Sequence, residues 1–143
     1  MAEDLYREVI LDHYKNPRGH GVMEDADAQA EGVNPLCGDE LILHLRLGDR
    51  IDAVSFEGAG CAVCIASASM MTLAVKGSTA AEASRLMQRV RELVAGGDGA
   101  NLGELESLKG VTQYPARRKC ALLAWRALEA ALAGGATKVS TEL

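Results

Sequence analysis

The octapeptide ELILHLRL, residues 40–47, restricts the fold more than any other stretch of the chain. Leu41, Leu43, Leu45 and Leu47 fall on one side of an extended backbone, and Ile42, His44 and Arg46 fall on the other. Such alternation predicts a strand with one face in the core. Gly48-Asp49 follows as a turn signal, and RIDAVSFEG then returns as a second strand, so the pair predicts a hairpin. Only one Phe and one Trp occur in 143 residues, which leaves Leu, Val, Ile, Ala and Met to fill the core.

Helical patterns surround this hairpin. Residues 4–15 place Leu5, Val9 and Asp12/His13 at helical spacing, and Asn16-Pro17 stops the run. Residues 18–35, rich in Gly, Asp and Ala, read as mostly irregular with room for one short strand. After Gly58-Ala59-Gly60 a helix is expected from 61 to about 76. Thr79 and Glu82 form a capping box for another, with Leu86, Val90 and Leu93 inward. AGGDGAN reads as a loop, 102–108 as a short helix, and Pro115 as the first turn of a last helix reaching Ala133. Gly134-Gly135 ends it. The order predicts one α+β domain over 1–135, a small antiparallel sheet with helices packed on one face. Residues 136–143 are expected to be a frayed tail.

Charge and composition limit the function classes. A net charge of −5 argues against nucleic acid as the main partner, and no apolar run reaches membrane-spanning length. The charged, amphipathic N-terminus reads as a working helix and not a leader, so cytoplasmic residence is expected. Four cysteines are too few for a disulfide scaffold and point instead to metal or thiol chemistry.

Three of them fall at element ends: Cys37 on the turn in NPLCGDE, Cys61 at a strand-to-helix handover, and Cys120 in the first two turns of the last helix. A helix N-terminus or a neighbouring cation favours a thiolate, and Cys120 follows Arg117, Arg118 and Lys119. Cys37 and Asp39, at i and i+2, can reach one ion. Three thiolates and a carboxylate suit tetrahedral zinc, and suit an iron–sulfur cluster less firmly than four thiolates. A carboxylate is the harder, more replaceable donor for a thiophilic centre, so the mixture suggests a cargo held in order to be released. Two other readings stay open. Cys61-Ala-Val-Cys64 is a CxxC opening a helix, as in thiol–disulfide oxidoreductases, and the thiols also fit a purely structural zinc module. The Met70-Met71 pair and Met87 read as core filler, and His44, opposite the Leu stripe, as surface or inter-element packing.

NPLCGDE, GAGCAVCIASASMMT and PARRKCALLAW together resemble the U-type iron–sulfur cluster assembly scaffold family, which includes IscU, SufU and the NifU N-terminal domain. The likeness runs from DLYREVILDHYKNPR to the last helix. It implies the family fold and a ligand set of Cys37, Asp39, Cys61 and Cys120, with Cys64 extra. It also associates Asp39 with lability of the bound cluster. Lys119 stands where the best-known scaffolds carry His, and AGGDGANLGELESLKG reads as an insert; both features resemble the SufU branch. That branch implies tight zinc binding or a transient [2Fe–2S] unit. It further implies sulfur accepted at Cys37 from a SufS/IscS-like cysteine desulfurase, with Arg117 aiding docking or thiolate stabilisation, and recipient apoproteins downstream. Whether such a chain counts as an enzyme depends on the split between scaffold and zinc-dependent sulfurtransferase.

Overall fold

The computed structural model describes residues 2–99, 101–134 and 138–141, with side chains described from Tyr6 onward. The elements are α1 (Ala2–Lys15), β1 (Ala28–Asn34), β2 (Asp39–Leu47), β3 (Ile51–Ala59), α2 (Ala62–Val75), α3 (Ala80–Val94), a 3-10 helix (Gly103–Val111), α4 (Pro115–Ala133) and β4 (Lys138–Ser140). The ELILHLRL alternation produces β2, antiparallel to β3, with Leu47 opposite Ile51 across the predicted turn. The stretch 18–35 yields a longer strand than its composition suggests. Ala28, Ala30, Gly32 and Asn34 pair with Leu45, Leu43, Leu41 and Asp39, so β1 and β2 also form a hairpin. Gly38, at φ 71°, supplies the left-handed residue that its four-residue turn requires.

The sheet runs β3-β2-β1-β4, and β4 lies parallel to β1, so the sheet is mixed rather than wholly antiparallel. The tail expected to fray therefore contributes a strand at Lys138–Ser140; residues 136, 137, 142 and 143 lie outside the described residues. Val139 packs on the core, and Thr141 bonds by its N–H to the Val33 carbonyl at 3.1 Å, which together repay ordering of this segment.

Helices cover the Leu41/Leu43/Leu45 face. Each such buried leucine contributes about 1.5–3 kcal/mol through area removed from water. α2 carries no charged residue, and its run from Cys64 to Thr72 is buried throughout, as befits a central helix. α4 settles closely on β1 because Gly32 has no side chain: a Cβ there would lie 3.1 Å from Leu123. The same helix buries Trp125, whose Nε1–H donates to Ser67 Oγ on α2 at 3.1 Å. α3 opens with the expected Thr79/Glu82 capping box; its buried side is Ala83, Met87, Val90, Leu93 and Val94, with Leu86 only partly covered. Met70 and Met71 are buried filler as expected. Leu5 cannot be placed on a helix face, its side chain being outside the described residues.

Candidate metal centre

Three hairpin and helix ends meet at one edge of the core. The β1–β2 turn presents Cys37, β2 begins with Asp39, and the second turn of α4 brings Cys120. One ligand atom from each, Cys37 Sγ, an Asp39 carboxylate oxygen and Cys120 Sγ, all lie within 4.8 Å of one another. Asp39 is 1% exposed and Cys120 fully covered, whereas Cys37 is half-buried and faces the rim.

Cys61 stands at the N-cap of α2. Its sulfur is not one of the three converging ligand atoms, although its side chain lies close enough to hydrogen-bond Cys120. It joins the site also through its backbone: the Cys61 N–H donates to Asp39 Oδ1 at 2.9 Å. Asn34, the first residue of the NPLCGDE stretch, binds both other parts. Its Nδ2 donates to Asp39 Oδ2 at 3.0 Å and to Cys120 Sγ at 3.4 Å, while its Oδ1 accepts from Thr141 Oγ1 at 3.0 Å. Sequence reasoning missed Asn34. The signal lay in the same heptapeptide, but its meaning depends on β1 pairing Asn34 directly with Asp39.

Burial pushes the Cys120 thiol well up, and hydrogen bonds to Asp39, Cys37 and Cys61 act in the same direction. Cys64 is raised first by burial and then by the charges of Asp39, Cys61 and Cys37. Arg117 is shifted the same way by a different cause: the Cys61 charge, with hydrogen bonds to Cys120 and Cys61, holds its guanidinium more firmly protonated. Arg117 is thus a cation engaged with the thiols, and Lys119 lies half-buried two residues further along α4. Three thiols and a carboxylate gathered in one partly covered site fit a thiophilic cation, which would hold the thiols as thiolates and balance the charge that one guanidinium would not.

Cys64 lies behind the site. A methyl built on Gly60 would meet Asp39 Oδ1 at 2.7 Å and Cys64 Sγ at 3.2 Å, and Cys64 has no exposed surface. A covered thiol with a raised pKa is a poor nucleophile, which weighs against disulfide chemistry at Cys61-x-x-Cys64.

The matched family model is the NifU-like N terminal domain, which covers residues 5–140. The chain belongs to this family. It is 45% identical over 135 residues to the zinc-dependent sulfurtransferase SufU of Bacillus subtilis, covering 92% of this chain and 91% of that protein. It is 41% identical over 132 residues to the iron–sulfur cluster assembly scaffold protein IscU of Streptococcus pyogenes, covering 90% and 82% respectively. Among solved structures, a SUF-system scaffold protein from Fervidobacterium islandicum superposes with a TM-score of 0.83 at 38% identity, over 87% of this chain and 94% of that one. A NifU-like N-terminal protein of Brucella abortus gives 0.82 at 26% identity, over 92% and 94%. The α+β architecture predicted from the sequence is thus that of this family.

Two other clusters lie away from the centre. His13, on α1, is fully buried between Ser69 Oγ at 2.7 Å and Glu104 Oε1 at 3.0 Å, tying α1 to α2 and to the 3-10 helix. His44 is 4% exposed and meets Glu57 Oε2 at 2.7 Å across the β2–β3 pair, so it packs between elements and is not a surface residue. Among the described residues no helix is long and apolar enough to cross a membrane.

Proposed function

We propose that this protein works in iron–sulfur cluster assembly, holding zinc or a transient [2Fe–2S] unit through Cys37, Asp39, Cys61 and Cys120. It receives sulfur at Cys37 from a cysteine desulfurase and serves recipient apoproteins in the cytoplasm. The convergence of Cys37, Asp39 and Cys120 ligand atoms within 4.8 Å carries the reading. Relatives named as a zinc-dependent sulfurtransferase and as a cluster assembly scaffold support it.

The residues divide the work by burial. Cys120 and Asp39 are covered and fixed by Asn34, so Cys120 anchors the cation while Asp39 is held in place as the more replaceable donor. Cys37 stands on a turn with its side chain at the rim, where an incoming persulfide can reach it. When bound, the metal lowers the thiol pKa values of its ligands and keeps them as thiolates. In the transfer itself, the Cys37 thiolate attacks the outer sulfur of the donor's persulfide. The S–S bond of the donor breaks, its thiolate leaves, and Cys37 carries the sulfane sulfur. Arg117, bonded to Cys61 and Cys120, steadies the negative charge left at the site.

The test is turnover of a SufS-type cysteine desulfurase with and without this protein. Wild type accelerates alanine formation and Cys37→Ser does not. Equal rates for wild type and no addition would leave only a structural metal module. Metal and sulfide analysis of protein purified without oxygen then separates zinc from cluster as the resting cargo.

A further inference from the structure

Thr141, immediately after β4, reaches the metal centre through one intermediary. Its N–H donates to the Val33 carbonyl at 3.1 Å, and its Oγ1 donates to Asn34 Oδ1 at 3.0 Å. Asn34 commits the other end of the same amide to the centre, where Nδ2 donates to Asp39 Oδ2 and to Cys120 Sγ. Asn34 is fully covered and Thr141 only 7% exposed, so this chain of bonds runs beneath the surface. A carboxamide is one rigid plane, and holding its oxygen sets where its two N–H bonds point. Here those two bonds meet two of the converging ligand side chains. The strand that carries Thr141 is lightly held. β4 has three residues and lies at the sheet edge with β1 as its one neighbour, in the register Glu31/Lys138, Gly32/Val139 and Val33/Ser140. Short edge segments of this kind open at a small fraction of the global unfolding free energy.

We infer that Thr141 is a positioning residue of the metal centre, acting through Asn34, so that docking of β4 and retention of the metal are coupled. The inference rests on the ligand set of the proposed function above. With β4 docked, Thr141 keeps the Asn34 nitrogen turned toward Asp39 and Cys120. With β4 released, Asn34 Oδ1 loses its donor and the amide is free to rotate. A rotation that brings the oxygen round sets an acceptor against a carboxylate and a sulfur, and both ligands lose the donor that orients them. The coupling is reciprocal: a metal that fixes Asp39 and Cys120 also fixes Asn34, and through it holds β4 in place. Backbone pairing alone would stabilise β4 equally with or without metal.

The test measures zinc affinity, by competition with an indicator, for wild type, Thr141→Val and Thr141→Ser, each alone and combined with Asn34→Ala. Melting temperature and circular dichroism check that each protein is folded. Hydrogen exchange at residues 138–141 is followed with and without zinc. Thr141→Val keeps the side-chain volume and removes the donor, and is expected to weaken zinc binding about tenfold, the lower end of the range for a partner that orients ligands. Thr141→Ser should recover wild-type affinity within about twofold. In the Asn34→Ala background the valine change should have no further effect, since the connection is already cut. Zinc should slow exchange along β4 in wild type and not in Thr141→Val. If wild type binds zinc while Thr141→Val matches it within about twofold, or while β4 exchange is indifferent to zinc, the coupling is overturned and the ligand assignment stands. A loss of affinity that persists undiminished in the Asn34→Ala background overturns the action through Asn34. Wild type that binds no zinc removes both the ligand assignment and the coupling.

Discussion

Asp39 Oδ1 accepts the Cys61 backbone N–H at 2.9 Å, so the carboxylate proposed as the oxygen donor is also the clamp between β2 and the N-cap of α2. The second oxygen takes the Asn34 amide. A carboxylate engaged on both oxygens is oriented before any metal arrives, and it is well placed to let a metal go, because protein donors compete for its lone pairs.

Replacing Asp39 by Ala therefore has two expected effects of opposite kind. The metal-free protein loses stability by about 1–3 kcal/mol, the range for removing a buried hydrogen-bonding partner. The metal-bound protein releases its cargo more slowly, since only thiolates remain to hold a thiophilic ion. A chelator-competition time course checks the second effect. Faster release would show the carboxylate to be an anchor and not the labile donor.

Asn34 holds ligands without being one. Asn34→Ala frees Asp39 Oδ2 and Cys120 Sγ from a shared donor and removes the acceptor of Thr141. Loss of such an orienting partner costs roughly 10–100-fold in metal affinity. Competition with a zinc indicator should place the variant in that range, with one metal per chain still bound at saturation. Unchanged affinity would mean that packing alone fixes the two ligands.

Cys64 separates proximity from ligation. It neighbours Asp39, yet it is covered behind Gly60 and was assigned no ligand role. Cys64→Ala should leave metal stoichiometry intact at a stability cost of roughly 1 kcal/mol for the small cavity. Cys61→Ser and Cys120→Ser should each lower metal content. Metal analysis of the three purified variants decides it, and loss of metal from Cys64→Ala would move Cys64 into the ligand set.

His13 makes a prediction about the fold rather than the site. Its two ring nitrogens bridge Ser69 and Glu104 inside a fully covered pocket. His13→Ala removes both bonds and leaves a cavity where α1, α2 and the 3-10 helix meet, a loss of about 2–4 kcal/mol. Thermal unfolding should fall by roughly 5–15 °C. Metal stoichiometry at low temperature should be unaffected.

Local signals in the sequence carried much of the architecture. Leu alternation announced β2, the Thr79/Glu82 box opened α3 where expected, and Pro115 with Gly134 bracketed α4. β4 and the full length of β1 were not visible, because AQAEGVN and KVS have weak local preference and become strands only by pairing with each other and with β2. The candidate ligands were legible from their motifs, but Asn34 and His13 were not. Each has a partner far away in sequence, with Cys120 86 residues from Asn34 and Glu104 91 from His13, and Asn34 reaches its near partner Asp39 only through the β1–β2 pairing.

Gly60 offers the most discriminating single change, because its neighbour Gly58 provides a control of the same chemistry. At Gly58, φ is 130° and an added Cβ would fall 2.0 Å from the Glu40 carbonyl oxygen, so β3 cannot keep its place beside β2. Gly58→Ala should unfold or lose several kcal/mol, on the order of a severe backbone clash. At Gly60 the backbone has no such constraint, and the added methyl meets side-chain atoms instead: Asp39 Oδ1 at 2.7 Å and Cys64 Sγ at 3.2 Å. The carboxyl must turn away, which breaks its bond to the Cys61 N–H and displaces the oxygen donor. Gly60→Ala is thus expected to fold with near-native circular dichroism while its metal exchange rate shifts toward that of Asp39→Ala. Should Gly60→Ala exchange metal as wild type does, the oriented carboxylate would not be what sets the release rate.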